Sequence, residues 1–186
     1  MMSIITIISG SPSEHTRLNG VLDEVVRHLE GVNIIPEVIH VRNLPAEDLI
    51  QAKFDSEEIV RANKKVEDST IVVILTPVYK ASFTGVLKTY LDLLPQNDLE
   101  GKTVLPIAIG GTFGHLLMLD YALKPVLSAL GATQILKGAF ILDSQIKKIE
   151  NNQYEIDEAA KNRIETSLNF LKNSLSPEKN VIGSIV

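Results

Sequence analysis

Residues 8–20 read ISGSPSEHTRLNG. A β-branched run stops at Gly10, and a helical pattern starts near Arg17. The residues between are suited to an anion. Ser11, Ser13, Thr16 and Asn19 offer hydrogen bonds, and Arg17 offers a charge. A loop that enters a helix adds free backbone N–H groups at the positive end of the helix dipole. Gly10 allows the sharp turn. The spacing is not G-x-G-x-x-G, which argues against an ordinary dinucleotide-binding loop. Nor is it G-x-x-x-x-G-K-[ST], which argues against nucleoside triphosphate hydrolysis. A hydroxyl-rich loop without a P-loop lysine suits a phosphate monoester. A plain strand-to-helix turn capped by Ser or Thr would use the same residues.

Two further stretches carry similar potential. In TPVYKASFTG (76–85), Pro77 fixes the backbone, and Tyr79 and Phe83 supply flat apolar surface. The amides of Val78, Tyr79 and Lys80 can meet a heterocycle edge, and the Lys80 ammonium can lie near a negative ring or phosphate. The alternative is a surface loop whose aromatic rings pack on neighbouring helices. In GGTFGH (110–115), Gly110, Gly111 and Gly114 permit close approach of backbone to a ligand. Thr112 can touch that ligand or cap the next helix. His115 is a candidate proton donor, but no serine or carboxylate is spaced to complete a triad. The histidines show no metal-ligand spacing, and no G-x-S-x-G elbow exists for a hydrolase.

The elements that must position these loops alternate between strand and helix. IITIIS (4–9), IIPEVIHV (34–41), TIVVILT (70–76), TVLPIAIGG (103–111) and TQILKGAFIL (133–142) read as strands, the last broken near Gly138. Pro36 places the second strand toward an edge. Helices are predicted over 17–30, about 56–67, 84–94, 114–130 and a C-terminal stretch capped by Asp157. Repeated βα units imply an α/β fold, a five-stranded parallel sheet with helices on both faces. Ligands of such sheets sit at the carboxyl ends of the strands, where all three loops lie.

A chain of 186 residues implies one domain, here 1–175, followed by a tail at 176–186 without a clear pattern. A net charge of −5 argues against nucleic acid as a partner. The absence of cysteine removes disulfides, thiolate metal sites and thiol catalysis, and fits a reducing compartment. Without a basic, apolar leader or a membrane-spanning run, the expected location is the cytoplasm.

Taken together, GSP with TR, TPVYKASFTGVLKTYLDLLP, and GGTFGHLLMLDYALKPVLSALGA resemble the NADPH-dependent FMN reductases of the flavodoxin-like superfamily. The similarity is strongest to the alkanesulfonate-utilisation branch and runs over about residues 4–145. It implies a flavodoxin-like fold, FMN at the strand ends and NADPH or NADH as hydride donor. It places Ser11, Thr16, Arg17, Leu18 and Asn19 around the FMN phosphate. Pro77, Val78, Tyr79 and Lys80 would border the flavin ring, with Gly110, Gly111 and Thr112 along its other edge. Family members often carry Arg directly after G-S-P, whereas this chain has Ser13, which leaves Arg17 to supply the phosphate charge alone. The resemblance implies that reduced flavin feeds a partner monooxygenase. Two other readings use the same fold: a quinone or azo reductase with tightly bound FMN, and a non-enzymatic electron carrier. No side chain need act as acid, base or nucleophile, because hydride transfer belongs to the two cofactors.

The stretch HLLMLDYALKPVLSAL is apolar nearly all round, with Asp120, Lys124 and Ser128 as a narrow polar stripe. That excess suggests subunit contact. Pro125 has no N–H for the carbonyl of Tyr121, so a kink or bulge is predicted there. The resemblance places Tyr121 and Pro125 in a bulged helix at a homotetramer interface; a dimer is the smaller alternative, and a Pro-kinked core helix in a monomer would use the same residues.

Overall fold

In the computed structural model, which describes residues 4–175, the predicted strands form a parallel sheet. β1 (Ile5–Ser9), β2 (Glu37–His40), β3 (Ile71–Pro77) and β4 (Thr103–Gly110) stand in the order β2-β1-β3-β4. A divided fifth strand, β5 (Gln134–Ile135) and β6 (Ala139–Leu142), completes the sheet beside β4. This is the flavodoxin-like order. Every residue of β1, β3 and β4 is buried, as their nearly unbroken apolar sequences require of strands covered on both faces.

α1 (Leu18–Glu30) and α6 (Glu158–Leu175) cover one face, with Leu18, Val21, Val25, Ile164 and Leu168 packed on β1, β3 and β4. α3 (Glu57–Glu67), α4 (Gly85–Leu91) and α5 (Lys124–Ala129) cover the other. A short α2 (Ala46–Ile50), absent from the sequence reading, adds Leu49 to that second core. Asp157 caps α6 as expected, its carboxylate accepting from the Ala160 N–H at 2.7 Å. The tail at 176–186 lies outside the described residues.

The fifth strand breaks where predicted. Val104 pairs with Ile135 and Ile107 with Ala139, so two residues of β4 face three on the fifth strand. One of the two is Pro106, which has no N–H to donate. The extra residue is a bulge opposite that gap.

The single helix predicted over 114–130 needs correction. Phe113–His115 is a 3-10 turn, Leu119–Leu123 is a π-helical turn, and only Lys124–Ala129 is α-helical. The Lys124 N–H donates to the carbonyl of Leu119, five residues back. The bulge predicted from Pro125 therefore spans Tyr121, its physical cause being the missing donor at 125. Asp120 and Lys124, two residues of the polar stripe, form an ion pair.

Candidate functional site

A cleft of about 350 Å³ opens at the carboxyl ends of β1, β3 and β4. Ser13, His15, Thr16 and Arg17 form its first wall. Pro77, Val78, Tyr79 and Ile109 form the floor and opposite side.

The first loop is held by its own polar groups. The Ser11 hydroxyl is buried and both donates to the Ser13 carbonyl and accepts from the Ser13 N–H, each at 3.3 Å. The Thr16 hydroxyl accepts from the Leu18 N–H at 3.3 Å, and the Asn19 side-chain amide donates to the Glu14 carbonyl at 2.7 Å. The amides of Glu14, His15, Thr16 and Arg17 have no acceptor among the described residues. Four successive N–H groups without an acceptor thus precede a helix of 13 residues, the kind of donor set that an anion uses. Thr16 and Arg17 thus line the cleft, while Ser11 and Asn19 brace the loop. Leu18 is fully buried and its side chain belongs to the core.

Arg17 is committed at one atom. Its Nε donates to the carbonyl of Ile146 at 3.1 Å, which leaves the two terminal nitrogens of the fork for an anion.

The loop after β3 starts from a tie to β4, the Val78 N–H donating to Ile109 at 2.8 Å. Tyr79 and Ser82 then exchange backbone hydrogen bonds of 2.9 and 3.1 Å around a tight turn. Its central residues, Lys80 and Ala81, have φ of 50° and 63°, the left-handed pattern of a type I′ turn made without glycine. Such strain persists only where surrounding structure enforces it, and it concentrates at ligand sites. The amides of Lys80 and Ala81 have no acceptor among the described residues. Tyr79 is half exposed over the cleft. Lys80 is exposed and stands outside the cleft lining.

One residue ties the first two loops together. Thr84 is buried, and its hydroxyl donates to the Gly10 carbonyl at 2.5 Å and accepts from the Leu87 N–H at 3.0 Å, capping α4. Gly10 approaches α4 so closely that a Cβ there would lie 2.6 Å from the Leu87 Cβ.

In the third loop Gly110 is buried beneath Val78 and Phe140, while Gly111 and Thr112 are exposed. Ile109, one residue earlier, is the β4 residue that lines the cleft. Thr112 caps the 3-10 turn by accepting from the Gly114 N–H at 3.2 Å. Phe113 is braced by Phe140, with ring centroids 6.0 Å apart, and by the Arg163 guanidinium 5.3 Å over its ring. His115 is outside the cleft lining. Tyr121 and Pro125 are outside it too, and Tyr121 is 78% exposed.

Five cleft residues are not among those the sequence pointed to: His15, Ile109, Asp143, Lys148 and Tyr154. The last two belong to a hairpin, β7 (Ile146–Lys148) and β8 (Tyr154–Ile156). Its signal was present as IKKIENNQYEI, apolar alternation around an Asn-Asn turn. Asn151 and Asn152 both take φ of 56°.

The sheet order and the cleft at the carboxyl ends of the strands define a flavodoxin-like α/β protein. Residues 2–147 match the model of the NADPH-dependent FMN reductases, and the chain belongs to that family of oxidoreductases. It is 43% identical over 166 residues to a Pseudomonas putida "FMN reductase (NADPH)", covering 89% of this chain and 84% of that one. An Escherichia coli protein of the same description is 46% identical over 147 residues, 78% of this chain and 75% of that one. Among solved structures, the apo form of an NADH:FMN oxidoreductase superposes with a TM-score of 0.83 at 31% identity. That match covers 96% of this chain and 92% of the other. Among the described residues no helix is long and apolar enough to cross a membrane.

Proposed function

We propose that this chain is an NAD(P)H-dependent FMN reductase that binds flavin reversibly and supplies it, reduced, to a partner monooxygenase. The observation that carries the reading is the cleft itself. One end offers free amides, Thr16 and Arg17 to a phosphate monoester; the other offers Tyr79, Pro77 and the strained turn to a planar ring. The donor set fits FMN. Glu14–Arg17 amides and the Arg17 fork would hold its phosphate, and Pro77, Val78 and Tyr79 would border its ring, with Gly110, Gly111 and Thr112 toward the far edge. The bound pair supplies the chemistry, a hydride passing from nicotinamide to flavin. The chain contributes orientation, anion binding and a fixed frame: Thr84 holds the first loop to α4, and the Val78 tie to Ile109 holds the second to the sheet. NADPH is the preferred donor in this reading, by likeness to the two relatives above 40% identity.

The protein works as a homo-oligomer, a tetramer in this reading. Leu116, Leu117 and Tyr121 are exposed by 43%, 58% and 78%, and exposed Pro125 continues that apolar row along the same segment. An uncovered surface of this kind marks an interface.

Steady-state NADPH oxidation by protein of known flavin content, with and without added FMN, tests the reading. Flavin-poor protein whose rate rises with added FMN is the expected result. Near-stoichiometric FMN that survives desalting would refute release of flavin and favour a tightly bound quinone or azo reductase.

A further inference from the structure

The hairpin after β6 lies at the edge of the family match, which ends at residue 147, yet it forms part of the cleft wall. Three contacts seat it on the first turns of α1. Ile146 and Ile156 are buried in the core that holds Leu18 and Val21. The Ile146 carbonyl accepts from Arg17 Nε. Tyr154 lies against Gly20 so closely that a Cβ on Gly20 would stand 2.7 Å from the Tyr154 Cβ and 3.3 Å from Ile146 Cγ2. Glycine weakens a helix interior. Its presence in α1 has a structural use: it lets the hairpin approach.

Seated there, the hairpin brings Lys148 to the same cleft as Thr16 and Arg17. Lys148 is exposed and has no ion-pair partner among the described residues. Asp143, the carboxylate on the cleft wall, sits instead beside Gly111, where a Cβ would be 3.9 Å from its Oδ2. A phosphate monoester carries about −1.5 to −2 charges at neutral pH. The first loop offers Arg17 alone as a permanent cation, with Nε already in use. A second cation would complement the remaining charge, and the hairpin brings one to the cleft.

Resting on the flavin reading above, we propose that Lys148 is the second cation of the phosphate site. The Gly20–Tyr154 contact sets its reach. The site therefore combines a cradle from the first βα loop with a cation from a hairpin more than a hundred residues later in the chain.

The test is flavin binding, read by quenching of flavin fluorescence on flavin-free protein, with FMN and riboflavin in parallel. Lys148→Ala should weaken FMN binding about tenfold, the worth of one charge-assisted contact, and leave riboflavin within about twofold. Lys148→Arg should restore the preference for FMN. Gly20→Ala, checked for native circular dichroism, should reduce the same preference with Lys148 still present. Lys148→Ala that weakens both flavins equally, or neither, overturns the assignment. So does a variant that loses only NADPH, seen as a raised KM with unchanged FMN binding, since Lys148 would then serve the nicotinamide donor. Wild-type protein that binds neither flavin would overturn the flavin reading itself.

Discussion

Thr84→Val isolates the joint between the phosphate loop and the ring loop. Valine keeps the shape of threonine, and Thr84 sits at φ −69° and ψ 148°, an extended backbone that a β-branched residue accepts. The change therefore removes hydrogen bonds and little else. Two are lost, one to the Gly10 carbonyl and one from the Leu87 N–H. Loss of a helix cap costs about 0.5–2 kcal/mol. Leaving the Gly10 carbonyl without its buried donor costs about 1–3 kcal/mol more. The sum is roughly 1.5–5 kcal/mol, which for a chain of this length lowers the melting temperature by roughly 3–20 °C. Urea denaturation with an unchanged slope should show the loss as a shift in midpoint. Because Gly10 opens the anion loop, FMN binding should weaken as well, and Thr84→Ser should recover most of both effects. A valine variant as stable as wild type would refute the claim that this hydroxyl joins the loops. A variant destabilised but unchanged in FMN affinity would show that the joint serves only the fold.

The remaining predictions concern assembly and pH. Leu117→Asp combined with Tyr121→Ala should sediment as a smaller species than wild type; a wild-type protein already monomeric would refute the interface. Tyr121→Ala alone should barely change the stability of the isolated chain, because the ring is largely exposed within it. Asp98 is held above the usual carboxylate range by burial, so its ionised form is disfavoured in the folded chain. That penalty is present above its folded pKa and vanishes below the unfolded value of 3.8. Asp98→Asn should therefore raise the melting temperature near pH 7, with the gain shrinking as pH falls toward 3.8; a constant gain at all pH values would point to packing instead.

The parts of the fold that could be read from sequence were those with one strong physical cause. The sheet strands betray themselves because burial on both faces leaves almost no polar residue in IVVIL or ITII. The bulge at Tyr121 was legible from one missing N–H at Pro125, and the break in the fifth strand from Gly138. Elements shaped by tertiary contact were harder. α2 has only five residues and one buried leucine, too little periodicity to detect. The helix predicted over 114–130 loses its first turn to 3-10 geometry, because Gly111, Thr112 and Gly114 do not commit the backbone to an α-helix.

The candidate site divides along the same line. Loop positions were readable from residue type, since Gly10, Pro77 and Gly110 punctuate strand ends. Which side chains face the cleft was not, because that depends on where each loop is braced. Ser11 looked like a ligand by chemistry, but its hydroxyl is used within its own turn. Arg17 looked like a free cation, but a carbonyl 129 residues away holds one of its nitrogens. Gly20 stands inside α1, where glycine weakens a helix, and the seated hairpin explains it. The last two share a cause. Arg17 and Gly20 each answer to a partner distant in sequence, and the hairpin supplies that partner for both. The segment that carries Lys148 is thus the same segment that fixes Arg17, which couples the position of the two cations: moving the hairpin moves both.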